Sequence, residues 1–144
     1  MIVTVSTQVD AASEQVWTEL ADLASHPEWM NDAESIVFTS DRKRGVGTIM
    51  DVTTRIGPLR TTDVMEVTDW VEGESIEIAH RGVVKGIGRL EVVPEQETSV
   101  VTWTEQLVFP WWIGGGLTAI VAKPFLTRIW QANLQRLAAR VSAL

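Results

Sequence analysis

The first nine residues alternate in polarity. Val3, Val5, Thr7 and Val9 fall on one side of an extended chain and Thr4, Ser6 and Gln8 on the other. That is the period-two pattern of a strand with one buried face. The period then changes. Val16, Trp17, Leu20, Leu23 and Ala24 recur at helical spacing, which predicts an amphipathic helix with Asp10 as its N-cap. His26-Pro27 is its expected end, because a residue before proline avoids helical backbone angles. Pro27 in turn suits the first position of a second short helix through Trp29 and Met30.

From Ile36 to Phe109 the chain is rich in Val, Ile and Thr. Turn signals interrupt it at Arg44–Gly47, Gly57-Pro58, Glu72-Gly73, Arg81-Gly82 and Pro94–Glu97. These spacings predict six further strands in an antiparallel meander, since parallel crossovers would need helical inserts. The end of the chain is helical again. Leu126, Trp130, Asn133, Leu134, Leu137 and Val141 share one face, whereas Leu117, Ile120 and Val121 lie off it. Pro124 stands between the two sets, so a kink or break is expected near Lys123-Pro124, followed by one long helix to about Ala143. The order predicts an α+β fold: a seven-stranded antiparallel sheet, two short helices after the first strand, and a long C-terminal helix over the apolar face.

Composition narrows the function. A chain of 144 residues, 45% apolar and 22% charged, suits one folded domain over 1–144. A net charge of −7 argues against a nucleic-acid surface and against electrostatic attachment to anionic lipid. There is no cysteine, and the two histidines form no HxxxH or HExxH motif, so neither a metal nor another cofactor is expected. Residues 106–122 are uncharged, yet Pro110 and Gly114–Gly116 interrupt a run already too short to span a bilayer. The opening residues lack a basic and apolar leader pattern, and the cytoplasm is the expected location.

Chemistry is sought where a polar residue shares an otherwise apolar face, because burying it is costly unless it is paired or used. His80 shares a face with Ile76 and Ile78. Glu105 shares one with Val101, Trp103, Leu107 and Phe109, and Asn133 lies in the stripe of Leu126, Trp130 and Leu137. Each has a plainer explanation: a histidine satisfied by a carbonyl, a glutamate reaching water, an asparagine bridging backbone. If all three point inward they meet between sheet and helix. Met50, Met65, Ile78, His80, Trp103, Glu105, Leu107, Leu126, Trp130 and Asn133 then line a ligand pocket. Trp103 and Trp130 are expected to face each other across it, and Leu107–Ala122 to form its mobile wall. Burial and an ionised neighbour shift a carboxyl or an imidazole in opposite senses, so the distance between His80 and Glu105 decides whether they form a charged pair. Asp41–Arg44 reads as a solvated turn, and Trp111-Trp112 as a lid or a contact surface.

The arrangement resembles the START-like, helix-grip superfamily of polyketide cyclase/dehydrase and lipid-transport proteins, which includes the birch-pollen allergen type. The matching residues are Val9-Asp-Ala-Ala-Ser-Glu-Gln-Val-Trp17 with Leu20-Ala-Asp22, His26-Pro-Glu-Trp29, Gly45-Val-Gly47, Val67-Thr-Asp-Trp70, Thr98-Ser-Val-Val-Thr-Trp103 and the last helix with Leu134 and Leu137. The resemblance implies a curved sheet wrapped around the long helix and a cavity for an apolar ligand. Cyclase members use arginine, tyrosine or asparagine inside that cavity. This chain has no tyrosine, and its nearest candidates are Arg55, His80 and Asn133. The leading expectation is a non-catalytic carrier or sensor of a small hydrophobic molecule. The alternatives are a cyclase or dehydratase-like enzyme, with Glu105 or His80 moving a proton and Asn133 steadying an enolate, and a protein-interaction module using the apolar 109–121 surface. The expected partners are the small hydrophobic ligand and, at most, a second copy in a homodimer, with no nucleic acid and no integral membrane association.

Overall fold

The alternating segments pair with one another in a computed structural model that describes residues 1–144. Seven strands form one curved antiparallel sheet: β1 (Ile2–Val9), β2 (Ala33–Phe38), β3 (Ile49–Ile56), β4 (Leu59–Val71), β5 (Ser75–Arg81), β6 (Lys85–Glu95) and β7 (Thr98–Val108). Their spatial order is β1-β7-β6-β5-β4-β3-β2, a meander whose last strand returns to pair with the first. Register places Trp103 between Val5 and Leu90, and Glu105 between Val3 and Gly88. His80 lies between Met65 and Gly86. The apolar positions of each strand therefore meet on the inner face.

The first helix, α1 (Ser13–Ala21), departs from expectation at both ends. Ala12, not Asp10, holds the N-cap position, without a side-chain cap. The helix stops at Ala21, and a 3-10 turn over Leu23–Glu28 contains Pro27. Local hydrogen bonds explain the early end. The His26 ring donates from Nε2 to the Leu20 carbonyl at 2.8 Å, and the Ser25 hydroxyl donates to the Asp22 carbonyl at 2.7 Å. Carbonyls that would otherwise invite another helical turn are thus satisfied. Ala24, expected on the helix's apolar face, is exposed.

The C-terminal helix α2 (Gly115–Ser142) is continuous through Pro124, so of the expected kink or break there is no break. Proline there deprives the Ile120 carbonyl of a partner, but Ile120, Lys123 and Pro124 are exposed, so water is available to that turn. The change of face read near Pro124 marks a change of surroundings. Trp130, Leu134, Leu137 and Val141 are buried, whereas Leu117, Ile120, Val121 and Phe125 are exposed.

The core sits at the β1 side of the sheet. Val3, Val5 and Val9, Val16, Trp17 and Leu20, Leu90, Val92, Val101 and Trp103 pack with the second half of α2. Each fully buried aliphatic side chain contributes about 1.5–3 kcal/mol. The Asp41–Arg44 turn is solvated as expected. Arg44 lies over the Trp70 ring and pairs with Glu72, which also accepts from Trp17 Nε1 at 3.0 Å and Trp70 Nε1 at 2.7 Å. No helix is long and apolar enough to cross a membrane.

Two measurements test this division of α2. Leu134→Ala should lower stability by about 2–5 kcal/mol in chemical denaturation, while Leu117→Ala, at an exposed site, should cost under about 0.5 kcal/mol. Amides of Gly114–Ala122 should exchange faster than those of β7. Equal protection would contradict a loosely held N-terminal half.

Candidate functional site

The second half of α2 covers the β1 side of the sheet, and the inner faces of β3, β4 and β5 look across an open space. Met50 and Val52 from β3, Met65 from β4, Ile76, Ile78 and His80 from β5, and Trp103, Glu105 and Leu107 from β7 bound it. Leu126, Ile129 and Trp130 of α2 close it. Its volume is about 750 Å³, and 23 of its 33 lining residues are hydrophobic, so the few polar groups decide what it recognises.

Nine of the ten residues expected in the pocket stand on this wall; Asn133 does not. It is fully buried within a brace between α2 and the loop before β2. Its Nδ2 donates to Asp32 Oδ1 at 2.6 Å, and its Oδ1 accepts from the Asn31 N–H at 3.1 Å and from Arg136. Arg136 Nε also donates to the Trp29 carbonyl at 3.1 Å. Asn133 is structural, though with a carboxylate, an N–H and a guanidinium as partners and no backbone carbonyl: every polar atom of its amide is used in binding loop to helix. Arg55 is exposed and alternates out of register with the cavity-lining Val52, Thr54 and Ile56, so it lies on the outer face and supplies no pocket cation.

Sequence reasoning missed Asp32, which lines the cavity and accepts from Trp130 Nε1 at 3.3 Å as well as from Asn133. A loop residue has no periodicity to reveal it. The one available signal was the buried asparagine itself, which had to find a partner. Trp103 and Trp130 also sit differently from expectation. Their ring centroids are 5.4 Å apart at 33°, so they touch at one side of the cavity and no ligand fits between them. Trp29 meets Trp103 edge-on at 6.2 Å, which extends the aromatic cluster into the core.

Glu105 and His80 are in contact. Glu105 Oε2 accepts from His80 Nε2 at 2.9 Å, and Oε1 accepts from Trp103 Nε1 at 2.9 Å. Space for the carboxylate comes from Gly88 opposite, since a Cβ there would stand 2.5 Å from Oε1. Burial alone would push the His80 imidazole down. The hydrogen bond and charge of Glu105, with a smaller contribution from Asp63, outweigh it and hold the imidazole above its ordinary value. A carboxylate only accepts, so His80 keeps its proton on Nε2. Its Nδ1 then accepts when the ring is neutral and donates when it is protonated. His26 behaves in the opposite way: burial pushes its imidazole down, against the opposing bond to Leu20.

The chain matches, over residues 1–142, the family model described as polyketide cyclase / dehydrase and lipid transport. Among curated proteins none matches. Solved structures share the fold. A Thermus thermophilus protein superposes with a TM-score of 0.85 at 18% identity, covering 99% of this chain and 98% of its own. The Zhui aromatase/cyclase from a Streptomyces strain gives 0.79 at 15%, covering 98% and 93%. A START superfamily protein from Mycobacterium smegmatis gives 0.69 at 15%, covering 99% and 94%. Identities this low speak for the fold alone.

The two histidines give the site opposite pH signatures. The stability His80 contributes is full below the unfolded value of 6.5 and is lost as pH rises through its raised folded value. His26 contributes stability above 6.5 that is lost as pH falls through its lowered one. Imidazole NMR titration should place the His80 midpoint above 6.5 and that of His26 below it. Gly88→Ala, by displacing the carboxylate, should bring the His80 midpoint down. A wild-type His80 midpoint below 6.5 would contradict the pairing.

Proposed function

The chain belongs to the polyketide cyclase / dehydrase and lipid transport family, and on that premise we propose that it binds one small, largely apolar molecule between sheet and helix, as a non-catalytic carrier or sensor. The observation that carries this reading is the cavity of about 750 Å³ with its mostly hydrophobic wall. A pocket of that size suits a lipid fragment, a polyketide or a fused aromatic metabolite. In this reading Met50, Met65, Ile78, Leu107 and Leu126 supply apolar surface, and the Trp103–Trp130 pair forms a flat aromatic side. His80 Nδ1 meets the ligand's one polar group. With the ring protonated it donates to a carbonyl or phenolate; with the ring neutral it accepts from a hydroxyl.

A cyclase or dehydratase-like reaction is the second reading, and one observation favours it. A histidine bonded to a carboxylate at 2.9 Å is a general base or acid in the making. Against it, Asn133 is committed to the brace with Asp32 and Asn31, so no asparagine is available to steady an enolate. The carrier needs only what the cavity supplies. A single domain over 1–144, located in the cytoplasm, completes the proposal.

Titration with 1-naphthol, followed by native mass spectrometry and tryptophan emission, tests it. One molecule should bind per chain and change the emission of the Trp103–Trp130 pair, and the change should disappear in the Trp103→Phe/Trp130→Phe double variant. Glu105→Gln and His80→Ala should each change affinity by roughly three- to tenfold, within the net contribution of a typical hydrogen bond. Affinity unchanged in both variants would place the pair outside the binding site.

A further inference from the structure

The charged side chains on the cavity wall are mostly acids. Asp32, Asp63 and Glu105 line it, and no lysine does. Its one arginine, Arg89, stands opposite Glu77 in the strand register, and the guanidinium pairs with Glu77 and Glu91 on the outer face. Two of the three acids are answered within the fold. Glu105 has His80 and Trp103, and Asp32 has Trp130 and Asn133. Asp63 has only the hydroxyl of the exposed Thr61, which donates to Oδ2 at 3.2 Å. The arginines of β4 and β5 are taken elsewhere, Arg60 by Glu34 and Arg81 by Glu66.

Position and space both direct this carboxylate to the cavity. Asp63 lies on the inner face of β4 two residues before Met65, and Met65 is directly opposite His80. Asp63 and His80 are therefore diagonal neighbours, with backbones about 7–8 Å apart. A Cβ on Gly82 would overlap the Asp63 side chain, as one on Gly88 would crowd Glu105. Neither glycine has a positive φ, so the backbone does not call for glycine at either place. Each leaves room for a carboxylate beside the cavity. A half-buried carboxylate with a single hydroxyl donor is a cost to the fold.

We propose, resting on the cavity as a site for one small apolar molecule, that Asp63 sets the charge of the occupant. The ligand carries a protonated amine, which the Asp63 carboxylate holds towards the mouth. His80 meets the inner polar group, and Asp63 adds a second position beyond it. One aromatic ring with a short aminoalkyl arm spans the two. An ammonium donates to a carboxylate in a charge-assisted hydrogen bond, about twice as strong as a neutral one. The apolar wall screens that attraction less than open water does. The same features turn a carboxylic acid away. It meets Asp63 as a like charge, with no unpaired lysine or arginine on the wall to offset it. The His80 proton that would attract it is already shared with Glu105. An uncharged ligand gains from Asp63 no more than an ordinary hydrogen bond.

Four probes that share a naphthalene ring and differ in charge test the assignment. At neutral pH 1-naphthylmethylamine is cationic, its isostere 1-naphthylmethanol and 1-naphthol are uncharged, and 1-naphthoic acid is anionic. In calorimetric titration of the intact chain, the amine should bind about tenfold more tightly than 1-naphthylmethanol, and the acid about tenfold more weakly. Asp63→Asn should bring the amine and 1-naphthylmethanol to within about twofold of each other. A preference that came from the overall charge of −7 would survive that substitution, and its survival would overturn the role of Asp63. His80 gives a second readout that needs no variant. A cation at Asp63 offsets a charge that helps to hold the imidazole up, so the amine should lower the His80 NMR midpoint further than 1-naphthylmethanol does. Equal affinity for these two, tighter binding of the acid, or equal His80 midpoints would each overturn the proposal. With 1-naphthol still bound, those results would leave the cavity's function standing. Failure of all four probes to bind would sink both.

Discussion

A helix some 10 Å across cannot cover seven strands spaced about 4.8 Å apart. The rest of this molecule follows from how that mismatch is resolved. The second half of α2 packs on β1 and its neighbours, where Val3, Val5, Leu134 and Leu137 make a closed core. α1 and the 3-10 turn stop one end. The inner faces of β3, β4 and β5 remain opposite the first half of the helix, which stands away from the sheet. Met50, Met65 and Ile78 therefore line a space instead of filling one. Interiors are ordinarily filled to crystalline density, so a space of this size between well-packed elements is room for something else.

Within that apolar space the polar side chains are few and held. A lone buried carboxylate would be prohibitively costly. Glu105 is tolerated because Trp103 Nε1 and His80 Nε2 each donate to one of its oxygens and because Gly88 leaves it room. Such a buried pair contributes little net stability compared with aliphatic packing. Folding alone does not account for it; in the proposed function the pair orients the ligand. The Asp32–Asn133–Arg136 brace is the contrasting case. Its groups satisfy one another and tie the loop before β2 to α2, and they have a structural task without any ligand.

Much of this was legible in the sequence because burial imposes a period. Val3, Val5 and Val9, then Ile76, Ile78 and His80, then Trp103, Glu105 and Leu107 each alternate, and each set lies on the inner face the alternation predicts. What periodicity cannot register is a partner. Asn133 lies on the buried stripe of α2 as expected, yet its direction was set by Asp32 and Asn31, which occupy a loop with no pattern of their own. Trp103 and Trp130 likewise lie on the predicted faces, but only the distance between sheet and helix shows that they touch. The end of α1 at Ala21 depended on His26 reaching back to Leu20, a side-chain-to-backbone hydrogen bond that no propensity contains. At Pro124 the helix continues, and the carbonyl that loses its partner lies on an exposed turn where water can satisfy it.

The central claim, that an apolar molecule occupies the space between β3–β5 and α2, is open to one direct reading. The chain has four methionines. Met30, Met50 and Met65 line the cavity, and Met1 stands outside it. Carbon-13 labelling of the methionine methyl groups therefore places a reporter on three walls and one on the outside. On titration with 1-naphthol, the resonances of Met30, Met50 and Met65 should shift together and saturate at one equivalent while Met1 stays in place. A shift confined to Met1, or cavity methyl groups unmoved at saturating ligand, would contradict the account.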